Sequence, residues 1–204
     1  MKKVILSVFA LCALNANNAD FSKAQELVAK KDYEGACELF TKICHDGSYE
    51  GCQEAIYPCK MESGGNLDHP GLDILFMGIA CDKGHIKGCM EVVDMSLVGN
   101  YAIGYDVEGA KKALSKGCEL KDASSCAYLG AIYAGSEEFL NELSEDEPRL
   151  EDYKKQIDKN KAMEYYKKAC ELGLESACGR FENLHFETAQ NDYLKKSLAL
   201  LKKK

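Results

Sequence analysis

Residues 161–178 read KAMEYYKKACELGLESAC. Ala162, Tyr166 and Ala169 recur at helical spacing up to Cys170, Gly173 then interrupts the pattern, and Cys178 follows Cys170 by eight residues. Apolar positions at this spacing mark one face of a helix, and a glycine just past its end suits the left-handed residue that stops it. The stretch therefore reads as helix, tight turn, helix, with two cysteines placed symmetrically about the turn.

The same arrangement occurs three more times. FTKICHDGSYEGC (40–52), MGIACDKGHIKGC (77–89) and LSKGCELKDASSC (114–126) each carry two cysteines eight apart, and the first cysteines recur at intervals of 37, 37 and 52 residues. A fixed period of this size is the signature of a repeat architecture. Eight residues before each first cysteine stand Ala36, Asp73, Ala110 and Ala162; four before stand Phe40, Met77, Leu114 and Tyr166. The turn position holds Gly47, Gly84, Lys121 and Gly173, so Lys121 is expected to adopt a left-handed backbone at about 1 kcal/mol. The residue before each second cysteine is always small: Gly51, Gly88, Ser125, Ala177.

These spacings predict the disulfides Cys44–Cys52, Cys81–Cys89, Cys118–Cys126 and Cys170–Cys178, each stapling two antiparallel helices beside their turn. Cys37 lies seven residues before Cys44 and Cys59 seven after Cys52. Two helical turns return a side chain to nearly the same face, so a second rung, Cys37–Cys59, is expected if the helices have not splayed. The alternative is that both stay free or pair with neighbouring repeats. Zinc and dithiol chemistry fit poorly, because the two- to four-residue cysteine gaps they favour do not occur.

The N-terminus points to the compartment. Lys2 and Lys3 precede an apolar run from Val4 to Ala13, and small residues follow, so residues 1–19 read as a signal peptide cleaved after Ala16 or Ala19. A lipid anchor on Cys12 is disfavoured by Leu11 before it, where a small residue is wanted. Loss of the leader removes one of eleven cysteines and leaves an even ten; it also takes the formal charge from −7 to −9. An oxidising, secreted or periplasmic location makes disulfides the default for those thiols. A composition of 46% hydrophobic and 29% charged residues excludes a disordered chain, and the acidic balance argues against nucleic acid as a partner. No later run is long enough to enter a membrane.

The fold class expected is all-α: a superhelical solenoid of disulfide-stapled antiparallel hairpins over 20–204, with hairpins at about 33–62, 71–99, 106–136 and 159–186. Residues 21–31 form a short helix with Phe21, Ala24, Leu27 and Val28 on one face. The acidic stretch 136–152 reads as an insert, either a solvated loop or a surface for a cation or basic partner. Residues 187–203 read as a capping helix with Ala189, Tyr193, Leu194 and Leu198 inward. His45 and His85 are expected exposed at turns, His69 in a loop, and His185 packed in the last hairpin.

KAMEYYKKACELGLESAC resembles the Sel1-like repeat, a relative of the tetratricopeptide repeat. The eight-residue cysteine offset in every unit resembles the Helicobacter cysteine-rich protein family, over residues 21–204. Asp73 and Lys121 depart from the usual small residues. The resemblance implies a superhelix with a concave face, and it implies penicillin binding with slow β-lactamase activity. The residues do not supply that chemistry: S-x-x-K, S-D-N, K-T-G and H-x-H-x-D are all absent, and Ser22, Ser124, Ser125 and Ser176 lack a lysine three residues on. No catalytic residue, cofactor or metal site is assigned. The expectation is a monomeric scaffold for a protein, peptide or cell-wall fragment, with a weak β-lactam hydrolase as the alternative. Tyr105, Tyr128 and Tyr133 are candidate contacts, with core packing the other reading of each.

Overall fold

The computed structural model describes residues 18–65, 71–97, 106–136 and 153–201, with side chains as far as 193. The leader with Ala16 and Cys12, His69, Tyr105 and nearly all of the acidic insert lie outside the described residues. Every regular element among those described is helical. The chain divides into two compact units, Met1–Asp106 and Val107–Lys204.

The first unit holds α1 (18–29), α2 (Tyr33–His45), α3 (Tyr49–Glu62), α4 (Gly71–Asp82) and α5 (Ile86–Leu97). The second holds α6 (Val107–Glu119), α7 (Ala123–Ala134), α8 (Lys159–Glu171) and α9 (Glu175–Leu201). From α2 to α5, and again from α6 to α9, each helix packs chiefly on its neighbours in sequence. Contact restricted to chain neighbours is how a helical repeat accumulates a core.

Cysteine register sets the turns. Gly47, Gly84 and Gly173 have φ of 101°, 95° and 98°, and Lys121 takes the same left-handed region at 67°. Lys31, between α1 and α2, does so too at 62°, so α1 stops at residue 29 and not at 31. Both lysines precede an aspartate, Asp32 or Asp122, whose carboxylate caps the next helix through the N–H of Gly35 or Ser125. A cap of this kind contributes about 1 kcal/mol and offsets the left-handed backbone beside it. Ser48 and Asp158 cap α3 and α8 in the same way.

The ten cysteines of the described residues form five disulfides, all within hairpins: Cys37–Cys59, Cys44–Cys52, Cys81–Cys89, Cys118–Cys126 and Cys170–Cys178. Their Cα atoms lie 4.4–4.8 Å apart, so paired helices nearly touch beside the turn. The residue before each second cysteine lies at this contact. A Cβ on Gly88 would sit 2.8 Å from the Ala80 Cβ and 3.0 Å from backbone atoms of Met77 and Cys81. Small side chains there are required by space. In the third hairpin the roles are exchanged, with Gly117 making room for buried Ser125.

The repeated inward positions are buried. Phe40, Met77, Leu114 and Tyr166 are each 3% exposed or less, and Ala36, Ala110 and Ala162 are fully covered. Asp73 takes the equivalent alanine position and pairs with Lys60 at 2.5 Å. That lysine is only 7% exposed, so the carboxylate that breaks the small-residue pattern answers a cation buried on the preceding hairpin.

Two expectations need correction. The fourth hairpin does not end near 186 with a separate cap: α9 runs unbroken from Glu175 to Leu201, because no proline or helix-stopping turn intervenes. On it Ala189 is exposed and Tyr193 is 72% exposed, so neither faces inward; the side chains of Leu194 and Leu198 lie outside the described residues. His185 is likewise exposed, stacked on Phe181 at 5.8 Å.

Candidate functional site

Within the second unit, α7 and α9 flank a groove with α8 beneath it. Tyr166 of α8 packs directly against the α7 backbone at Gly130, where an added Cβ would meet its ring at 2.8 Å. Two hollows of about 410 and 300 Å³, both lined by Arg180, follow the groove. Their walls are Ala127, Tyr128, Ala131 and Ala134 from α7 with Ala177, Arg180 and Leu184 from α9. The Arg180 guanidinium carbon stands 6.0 Å from the centre of the Tyr166 ring, and Tyr128 is 53% exposed at the rim. The surface is an open, largely apolar trough of small residues with an aromatic edge, one cation and, at the Leu184 end, the carboxylate Glu187.

A third hollow, of about 490 Å³, lies across α6, α7 and the start of α8. Glu108, Lys111, Tyr133, Lys155, Gln156, Ile157, Asp158, Lys159 and Lys161 line it. Tyr133 stacks on Tyr165 with ring centres 5.7 Å apart and planes 4° from parallel. Burial, helped by Tyr133, raises the Tyr165 hydroxyl above its ordinary pKa, so it stays a neutral phenol. The Lys111 Nζ donates to Glu108 at 2.8 Å and to the Gln156 side-chain oxygen at 2.9 Å, and lies 5.2 Å from the Tyr133 ring centre. The Lys161 Nζ lies 5.1 Å from the same ring. The Asp158 N–H donates to the Tyr133 carbonyl at 2.9 Å, while its carboxylate accepts from the N–H groups of Asn160 and Lys161. Lys155 thus stands on a loop tied to α7, with Lys159 and Lys161 in the first turn of α8 and Lys111 across from them on α6.

Tyr153 anchors the start of that loop. It is 2% exposed and donates to the Ile132 carbonyl at 2.6 Å. Burial, with a smaller contribution from Tyr166, pushes its hydroxyl up to about 12. Folding therefore holds a proton that the unfolded chain releases near pH 10. The resulting stability is complete below pH 10 and is lost as pH rises toward 12. Urea titrations between these pH values are expected to show a shallower decline in Tyr153→Phe than in the parent; equal slopes would remove Tyr153 from the account.

The first unit holds a smaller polar cluster. His85 Nε2 donates to the Gly47 carbonyl at 2.8 Å, so the turn of the second hairpin is bonded to that of the first, and the ring sits 5.8 Å from Tyr49. The expectation of a freely exposed His85 is corrected accordingly; His45 is exposed. Tyr49 donates to the Glu91 carboxylate, with Lys87 4.8 Å from its ring centre. Burial first, then Glu91, raises the Tyr49 pKa.

The candidate tyrosines do not converge: Tyr128 rims the apolar groove, and Tyr133 lines the lysine-bearing hollow. Sequence reading missed Lys111, Lys155, Lys159 and Lys161; a cation excess around 154–161 is the only signal for the last three, and Lys111 carries none. Among the described residues no group of three or more His, Cys, Asp or Glu side chains is placed to hold a metal, and no helix is long and apolar enough to cross a membrane. Ser48 and Ser125 both meet carboxylates, Glu50 and Asp122, but Ser48 is the N-cap of α3, and Ser125 is fully buried in the first turn of α7, bonded to the N-cap Asp122.

No family model and no curated protein matches the chain. Similar solved structures do exist. A Sel1 repeat protein from Oxalobacter formigenes is 20% identical with a TM-score of 0.45, over 81% of this chain and 62% of that one. Helicobacter pylori cysteine rich protein B is 25% identical with a TM-score of 0.40, over 74% and 95%. A protective antigen of uropathogenic Escherichia coli strains, displaying an SLR fold, is 17% identical with a TM-score of 0.39, over 84% and 42%. The chain thus spans about three fifths of the first of these and two fifths of the third. Its structural neighbours are Sel1 repeat proteins, the Helicobacter cysteine-rich protein among them, at low sequence identity.

Proposed function

We propose that this chain is an exported, disulfide-stapled helical-repeat scaffold that holds a peptide or protein segment, or a cell-wall fragment. The observation that carries this reading is the open groove between α7 and α9, where alanines on both walls leave room above the buried Tyr166 ring, with exposed Arg180 on the α9 wall. Small residues lining a rigid groove admit an incoming apolar segment, and aromatic anchors concentrate binding energy. Export is supported by the N-terminal apolar run and by ten cysteines paired within their hairpins. Hydrolysis of a β-lactam, which the resemblance implies, is not part of this reading: of the described serines that meet carboxylates, Ser48 caps α3 and Ser125 donates to the capping Asp122 of α7.

Oxidised protein lacking residues 1–19 is the material for the test, panned against a peptide library and a soluble peptidoglycan digest. Ligands retained by the groove are expected to bind about ten-fold or more weakly to Tyr128→Asp, with an unchanged melting temperature. A chromogenic cephalosporin turned over by repurified protein, and spared by a point variant of one residue only, would replace the scaffold with a hydrolase.

A further inference from the structure

We infer that the lysine-lined hollow beside Tyr133 is a second binding site, one that takes the carboxylates of a short acidic peptide. The inference rests on the peptide-scaffold reading but concerns a different surface from the α7–α9 groove.

Charge is the first argument. The chain carries 33 acidic and 26 basic residues, yet this hollow gathers four lysines and two acids, with Lys159 also paired to Glu187 of α9 at 3.3 Å. Both acids have tasks already. Asp158 caps α8, and Glu108 binds Lys111. Lys161, by contrast, has no carboxylate within ion-pair distance among the described residues and meets only the face of Tyr133. An exposed cation–π contact of this sort is worth about 0.5–1 kcal/mol, less than a charge-assisted hydrogen bond to a carboxylate, so Lys161 exchanges one for the other at little cost.

Preorganisation is the second. The Lys111 side chain is only 14% exposed and is fixed by two hydrogen bonds. Stacking on Tyr165 fixes the Tyr133 ring, and both ammonium groups lie within 5.2 Å of its centre. A ligand carboxylate reaching Lys161 therefore finds a rigid aromatic plate and a second cation already ordered, which lowers the entropy lost on binding.

The same details select the class of anion. A phosphate would favour the free N–H groups at the start of α8, but Asp158 occupies them and repels a second anion there. A long polyanion such as nucleic acid extends beyond the hollow onto a chain of formal charge −7. A short acidic peptide does neither, and at roughly 0.15 M salt charges more than about 8 Å away are screened from it.

The probe is a fluorescein-labelled peptide of four glutamates around one tyrosine, amidated at its C-terminus and titrated with the full oxidised chain by anisotropy. Saturable binding is expected, weakened about ten-fold by Lys161→Glu and several-fold by Tyr133→Leu, and weakened further by added salt. Lys167→Glu, an exposed change on α8 outside both grooves, should leave it unaltered. A free-acid version that binds more tightly than the amide would identify a C-terminal carboxylate as the anchor; equal binding would identify the side chains. Absence of saturation, equal affinity for a peptide with glutamine in place of each glutamate, indifference to Lys161→Glu, or stronger competition by a sulfated glycan than by unlabelled peptide would each overturn the inference. Retention of library ligands sensitive to Tyr128→Asp alongside such a failure would leave the scaffold reading standing.

Discussion

Full reduction of the five disulfides is expected to unfold the protein at 37 °C, as small disulfide-built domains commonly do. Each eight-residue staple closes a short loop worth about 2.6 kcal/mol in chain entropy, so the four of them sum to about 10 kcal/mol before the Cys37–Cys59 rung is considered. Whole domains are stable by only about 5–15 kcal/mol. The helices cannot persist alone, since most are 12–14 residues long and isolated helices of that length are marginal in water. Far-ultraviolet circular dichroism with and without dithiothreitol reads the effect directly. A reduced protein that kept its helical signal and melted within a few degrees of the oxidised form would show that packing, not the staples, holds the hairpins together.

Asp73→Ala is expected to cost about 2–3 kcal/mol, allowing for the 28% exposure of the aspartate side chain. The loss comes from Lys60, whose largely buried ammonium loses the Asp73 carboxylate. Lys60→Met should cost less, because the remaining aspartate reaches water. The double variant should recover most of the loss, since apolar groups that replace a buried pair are often as stable as the pair itself. Urea unfolding of all three separates these terms, and a neutral Asp73→Ala would show that the pair is incidental. The sign of this outcome runs against the repeat pattern, in which alanine is the usual residue at that position.

That contrast indicates what a sequence of this kind discloses. The cysteine offset places the turns because a left-handed residue, a cap and a disulfide all fall within one dozen residues. Even Lys121, chemically unsuited to its backbone, was legible from its register. The Lys60–Asp73 pair was not, since it joins two hairpins and each member looks ordinary, or anomalous, in its own repeat. The lysine-bearing hollow was hidden for the same reason: Lys111 and Lys161 are fifty positions apart in the chain, and only the stacking of α6, α7 and α8 brings both to Tyr133. His85 reads as a turn residue until its reach to Gly47 is seen. The continuity of α9 was missed because the repeat supplied an expected stopping place that no local residue enforces.

Every staple has both of its sulfurs inside one hairpin. Random pairing of even eight cysteines admits about 105 connectivities, but here the correct partner is always the nearest cysteine beyond a turn, or the next one outward. A hairpin can thus oxidise as soon as its own two helices have paired, before the rest of the array has folded. The same autonomy applies to the gene. Duplication or deletion of one unit adds or removes a complete bond and strands no thiol, so an array of this design can change length while every remaining cysteine keeps its partner.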